Sequence, residues 1–425
     1  MTNTPKSKSL RLKPDGAASL QSALTSAAKD LGASTTLALA DADGVFLHLE
    51  AGSFDPLNPG RNVESDDVMW FASTTKLLTS ICYLQLVDEG KLTLDTNMRS
   101  LFPPLDVATS QIIKGFDEGK PIMESNDTPV TLGQMLNQTS GFGMEFGDKV
   151  PLWKKVADKG TGFVNSCKID NLIHTPLCFA PGTSYEYGNS AEWLGLILPT
   201  LVGMSTEEYF QTHLLRPLGM ANTSFYPYHP EWTNRLLPLR FRSETGYEEL
   251  KDQLPLLTLP RKRQDIEYPV AGGGIYSSSS DYIKVLHHLL QHRLSLSGRA
   301  TRPETTLLSD TSLNSLFTGT LPDPALPAIV KMFEWTFGPE EKFELGEANW
   351  STGMAIYAPT DGRRRAGFGR LAGSVGWGGA AGTQYWIDEA AGIAAVFTTQ
   401  VLPGSGPATK SFKDAMERAI YAALE

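Results

Sequence analysis

Segments suited to β-strands stand at both ends of this 425-residue chain and are scarce between them, and that placement constrains the fold more than any other feature. Residues 35–40 and 45–50 are short β-branched and apolar runs, split by Asp41-Ala42-Asp43-Gly44, whose aspartates and glycine favour a tight turn. Residues 350–358, 384–388 and 393–401 have the same character, with Glu389-Ala390-Ala391-Gly392 as the turn between the last two. Leu20, Leu24, Ala27 and Leu31 recur at helical spacing and predict an amphipathic helix over 17–31, and a closing helix is predicted over about 409–424. One sheet assembled from residues 17–70 and 345–425, flanked by the terminal helices, buries these faces. Residues 71–344 then form a mostly helical lobe inserted between the two halves, with a cleft where the lobes meet.

The length exceeds the roughly 250 to 300 residues at which single cores stop growing, so one large single-core body or two intimately packed lobes is expected. Hydrophobic residues make up 41% and charged residues 20%, the balance of a soluble globular chain, and the net charge of −10 offers no basic face for nucleic acid. The first sixteen residues are polar and basic without the apolar core of a secretory signal, and no run of about 18 apolar residues is found. A cytoplasmic protein without a membrane partner is expected. Cys82, Cys167 and Cys178 are an odd number at irregular spacing, which suggests neither a disulfide framework nor a zinc site; pairing of Cys167 with Cys178 is left open.

The most informative segment is Phe71-Ala72-Ser73-Thr74-Thr75-Lys76, followed by a nearly uniformly apolar helix ending at Gly90. It places Ser73 in the first turn with Lys76 one turn along the same face. A serine hydroxyl becomes a nucleophile only when a base takes its proton, and a lysine serves if burial and positive potential keep it neutral. A second Ser-x-x-Lys, Ser26 to Lys29, falls within the amphipathic terminal helix and carries no such implication. An N-cap serine with a solvated Lys76 is the structural alternative for the first.

Two further segments converge on the same chemistry. Pro181-Gly182 leads into Tyr187-Gly188-Asn189 and an apolar helix. A phenol beside an ammonium is drawn towards phenolate, so Tyr187 can shuttle the Ser73 proton, while Asn189 can hold Lys76 or a substrate carbonyl. The glycine-rich run from Gly373 to Asp388 reads as a strand, a tight turn and a second strand, and it can aim a backbone N–H at the substrate. The N–H groups of Ser73 and Ala380 are the expected oxyanion hole, with Trp377, Gly378 and Gly379 against the substrate. Phe142, Trp153, Tyr276 and Trp335 are candidates to line an acyl pocket, with plain core packing as the alternative for each. The histidines lack metal-ligand spacing.

In order and spacing, Ser-x-x-Lys near 73, Tyr-x-Asn near 187 and the glycine-rich strand near 377 resemble the penicillin-recognising serine enzymes. The resemblance runs along most of the chain and is to the class C β-lactamase-like group, with its family VIII carboxylesterases and fungal transesterases of the lovastatin acyltransferase type. Further carriers are the segments IIKGFDEGK, TLGQMLNQTSGFG and AGGGIYSSSSDYIKVLHHLL. The resemblance implies an α+β fold of the β-lactamase/penicillin-binding-protein type, an antiparallel sheet flanked by helices as an α/β/α sandwich plus an inserted helical domain. It also implies no metal or organic cofactor, and acylation of Ser73 before transfer to water or an alcohol.

Two departures narrow the function. The Lys-Thr-Gly of penicillin-recognising enzymes, whose cation meets a substrate carboxylate, is replaced by Trp377-Gly378-Gly379, which favours an apolar or neutral acyl group. The family's His-Thr-Ser-Gly becomes Gln138-Thr139-Ser140-Gly141, and Gly-x-Ser-x-Gly is absent. The expected activity is cleavage or transfer of an acyl group from a small ester or thioester, with an acyl carrier as a candidate donor, in secondary metabolism. The alternatives are an amide hydrolase of the β-lactamase or D-amino-acid peptidase type, and an inactive binding homologue.

Overall fold

The computed structural model describes residues 12–243, 246–249, 263–338 and 341–425. Arg261 and Lys262, expected in a surface loop, lie outside them. Seven strands form one antiparallel sheet: β1 (Thr35–Ala40), β2 (Val45–Ala51), β3 (Ala348–Trp350), β4 (Ala355–Tyr357), β5 (Ser374–Gly378), β6 (Gln384–Asp388) and β7 (Ile393–Thr398). Their order is β2-β1-β7-β6-β5-β4-β3, so the N-terminal hairpin pairs with the last strand of the C-terminal run through Thr36↔Thr398 to Ala40↔Ala394.

Alternation with a period of two explains how a sheet buried on both faces stays in register. Leu37, Leu39, Trp386, Ala395 and Phe397 join one core with α1 (Gly16–Leu31) and the C-terminal helix Pro407–Ala423. Ala38, Ala40, Tyr385, Ile387, Ala394 and Val396 join the other, which also holds α2 (Thr75–Asp88), α3 (Ser190–Val202) and α4 (Ser279–Leu296). Helix α4, from the middle of the chain, lies on the sheet against β1 and β7. Eleven of the fourteen residues of α2 are buried, as its apolar sequence requires. The second Ser-x-x-Lys is on the exposed side of α1, with Ser26 and Lys29 both in solvent.

Three segments differ from expectation for local reasons. The strand expected over 350–358 is a hairpin of β3 and β4, because Ser351 Oγ accepts the N–H groups of Gly353 (3.2 Å) and Met354 (3.0 Å) and turns the chain. The last expected strand stops at Thr398, and Val401–Leu402 pairs instead with Arg240 and Phe241. The Pro-rich stretch 321–327, whose composition suggests a surface loop, is not a plain loop: Pro327 lies in the first turn of α5 (Leu326–Phe337), where its missing N–H costs nothing. The closing helix, α6, is Pro407–Ala423. Among the described residues no helix is long and apolar enough to cross a membrane. The three cysteines are free and buried, which closes the question of a Cys167–Cys178 bridge in this structure.

Candidate active site

Ser73 sits where a short strand becomes the central helix. Met69–Trp70 pairs with Tyr276–Ser277, the chain makes a 3-10 turn over Ala72–Thr74, and α2 begins at Thr75. Ala72, just before the serine, has φ +48°, a left-handed conformation that costs an alanine about 1–2 kcal/mol. The surroundings hold it there. Phe71 N–H donates to Ile275 O (3.0 Å), the Trp70 indole N–H donates to Gly273 O (2.6 Å) and Thr75 Oγ1 donates to Ala72 O (2.6 Å). Ser73 itself is half-buried, and among the described residues no protein group hydrogen-bonds its hydroxyl.

Lys76, one turn on, is buried and donates to Gly272 O at 2.7 Å. Its ammonium also lies 4.5 Å from the centre of the Tyr187 ring. Burial pushes its pKa down, but the Tyr187 oxygen and the Glu192 carboxylate push it up by more, and the outcome is raised. Lys76 is therefore an ammonium at rest, and not the neutral amine that burial alone would make it. Glu192, on α3, is fully buried; burial raises its pKa and Lys76 opposes that rise. The carboxylate fits because Gly272, the residue that also receives Lys76, has no side chain to fill that space.

Tyr187 precedes α3 and accepts the Trp377 indole N–H on its hydroxyl oxygen at 3.0 Å. Its position depends on the loop that carries glutamine in place of the family histidine. Gln138 Oε1 accepts the Gly188 N–H at 3.0 Å, and Gln138 O accepts the Glu186 N–H at 3.2 Å. A side chain at Gly188 would collide with Phe142 O, so only glycine lets the Tyr187 loop lie this close to the 142–143 backbone. Asn189 is buried with both side-chain polar atoms unpartnered, and it does not bond Lys76. In this state its Oδ1 and Nδ2 are uncommitted.

The glycine-rich strand approaches from the sheet. Gly379 packs directly on Phe71 O and Ala72 Cβ, an approach that any side chain would block. Among the described residues neither the Ser73 nor the Ala380 N–H is taken by a protein acceptor, while Ala380 O is held by Gly404 N–H at 2.8 Å. Trp377 stands T-shaped against Trp350 with ring centres 4.7 Å apart, and Phe146 stacks on Tyr187 at 6.4 Å while remaining 55% exposed. Met144, Val330 and Trp377 pack against the buried cluster that holds Tyr187 and Trp350.

The structure brings Lys76, Tyr187, Trp377, Gly378 and Gly379 together around the Ser73 turn, and it separates others. Phe142 is core, stacked on Trp193 at 5.6 Å. Trp153 donates its indole N–H to His174 O at 3.0 Å, and Trp335 is 65% exposed on α5. Tyr276 stays near, paired with Trp70. Sequence reasoning missed Glu192 and Phe146, and marked Gln138 only as a departure from the family pattern. Glu192 had one available signal, a charge five residues past Tyr187 on a helix otherwise apolar enough to be buried.

Residues 24–419 match the Beta-lactamase family. The chain belongs to that family. Within it, the chain is 25% identical to acyltransferase calJ of Penicillium decumbens, covering 89% of this chain and 87% of that one. It is 26% identical to lovastatin esterase of Penicillium rubens, over 90% and 92% of the two chains. A LovD6 mutant of simvastatin synthase from Aspergillus terreus superposes with a TM-score of 0.77 over 96% of this chain and 95% of its own, at 22% identity. The fold is thus that of the Beta-lactamase family, an antiparallel sheet with helices on both faces.

Proposed function

We propose that the protein is a serine esterase or transesterase that cleaves or transfers an acyl group from a small-molecule ester through an acyl-enzyme on Ser73. One observation carries the assignment. The Tyr187 ring lies 4.5 Å from the Lys76 ammonium and its oxygen accepts the Trp377 N–H at 3.0 Å, two groups suited to stabilising negative charge on that phenol. Acting as a phenolate beside the Lys76 ammonium, Tyr187 takes the Ser73 proton and becomes a phenol as Oγ attacks the ester carbonyl, and the Ser73 and Ala380 N–H groups receive the oxyanion. Collapse expels the alcohol, which takes the proton back from Tyr187. Water or a second alcohol then attacks the acyl-enzyme with the same two steps reversed.

The exposed Phe146 ring and the half-buried Trp377, both against Tyr187, support a neutral, apolar acyl group. The names of the relatives, an acyltransferase and a lovastatin esterase, support a small-molecule ester of secondary metabolism as substrate; an acyl carrier thioester is a candidate donor. The free, buried thiols support a reducing, cytoplasmic setting. Intact-mass measurement after incubation with p-nitrophenyl esters and short-chain acyl thioesters tests the reading. Wild type should gain one acyl mass and Ser73→Ala none; an adduct persisting on the variant would assign the nucleophile elsewhere.

A further inference from the structure

A cleft of about 630 Å³, counting its open mouth, lies beside the free end of β5. Pairing of β4 with β5 ends at Ala355↔Gly376, so Trp377 and Gly378 border the opening. Opposite them stand α5, with Phe333 and Phe337, and the start of α6, with Lys410 and Lys413. Arg365 and Arg370 form its floor.

Charge in this cleft is unbalanced. Arg365 and Arg370 share the buried Glu417 carboxylate, at 2.9 and 3.1 Å, and Arg365 also meets Asp414 at 2.7 Å. Four cations against two carboxylates leave two positive charges over, on a chain whose net charge is −10. The lysines carry the surplus. Lys410 donates to the backbone of Trp335 at 3.3 Å and Lys413 to that of Gly404 at 3.2 Å, and neither has a carboxylate partner among the described residues. Ser374, 1% exposed, also lines the cleft, and its hydroxyl has no partner. A buried unpartnered hydroxyl beside surplus cations is a cost that a bound oxyanion removes.

We propose that this cleft is a binding subsite for an organic oxyanion, a carboxylate or phosphate carried on an apolar stem. Lys410 and Lys413 meet the charge, and Phe333, Phe337 and Trp377 flank the stem. Lys413 Nζ lies 4.0 Å from where a Cβ on Gly378 would stand, so α6 brings a cation to the strand whose own sequence lacks one. Burial, Lys410 and Arg370 together press the Lys413 pKa down to about 8, a penalty that an anion would relieve. Because Trp377 both borders the cleft and bonds Tyr187, the subsite takes the acidic group of an acyl donor or acceptor; that part rests on the acyl-transfer reading above.

Calorimetric titration of the Ser73→Ala protein at low ionic strength with hexyl phosphate, hexanoate and hexanol tests the subsite without turnover. At least one of the two anions should bind tenfold or more tightly than hexanol, and the tighter one identifies the ligand as phosphate or carboxylate. Lys410→Met, and Lys410→Met with Lys413→Met, should erase that preference at an unchanged thermal midpoint, whereas Lys413→Arg should keep it. Equal affinity for all three compounds, or a preference surviving in the double variant, would overturn the proposal. Ester turnover without anion preference would fell this inference alone, and anion preference without any acyl adduct would fell the acyl-transfer reading alone.

Discussion

The indole N–H of Trp377 donates to the hydroxyl oxygen of Tyr187 at 3.0 Å, linking the glycine-rich strand of the sheet to the loop before α3 across the site. The residue that stands where relatives of the penicillin-recognising type keep a lysine is therefore a hydrogen-bond donor to the proton-carrying phenol as well as an apolar wall. Trp377→Phe keeps the wall and removes the donor. The expected result is a fall of about tenfold in kcat/KM on a p-nitrophenyl ester, the worth of one such bond at about 1–1.5 kcal/mol. Unaltered kinetics in a correctly folded variant would show that the bond is not used.

Glu192 stabilises the Lys76 ammonium from inside the lobe. Burial lowers the Lys76 pKa, while Tyr187 and Glu192 raise it further than burial lowers it. In Glu192→Gln one of those opposing charges is gone, so the ammonium is lost at a lower pH. If activity needs that ammonium, the alkaline limb of the kcat/KM profile moves to lower pH, and Glu192→Asp places it in between. Superimposable alkaline limbs for wild type and Glu192→Gln would rule this out.

Gly188 is the hinge point of the Tyr187 loop. A methyl group there would overlap Phe142 O, and the backbone must give way because the obstacle is not a flexible side chain. Gly188→Ala should cost about 1–3 kcal/mol of stability by overpacking and reduce ester turnover by more than its stability loss accounts for. Thermal unfolding and steady-state kinetics on the same preparation separate the two effects.

Glu417 ties the C-terminal helix to the loop 365–370. Burial opposes its charge, but Arg370 and Arg365 outweigh burial and hold its pKa down at about 2. A depressed carboxylate adds stability above its unfolded value, about 4.3, and loses it as pH falls through the folded value. Glu417→Gln strands the buried Arg370 guanidinium and leaves Arg365 with Asp414 alone, and should cost about 3–5 kcal/mol in urea unfolding at neutral pH. The gap between variant and wild type should narrow as pH falls from about 4.5 towards 2; a gap constant over that range would mean the carboxylate's charge is not what matters.

Much of this was legible in one dimension because the controlling periods are short. Short β-branched and apolar runs bounded by turn residues marked β1, β6 and β7, and helical spacing marked α1. The Ser73–Lys76 turn was legible for the same reason: i and i+3 share a helix face wherever the helix goes. The single strand over 350–358 was misjudged because Ser351 folds the chain back through side-chain bonds to its own backbone, a choice that residue composition does not mark.

Sequence by itself determined which residues carry reactive groups and on which local faces they stand, because covalent spacing and backbone geometry suffice for that. Tertiary structure alone decided which of them meet. Tyr187 is 111 positions from Lys76 and 190 from Trp377, and only the packing of α3 and β5 around α2 places the three within reach. It also decided their charges. The state of Lys76 follows from Glu192 and Tyr187 in a dry interior, and electrostatic energy depends on distance and burial, which no local pattern encodes.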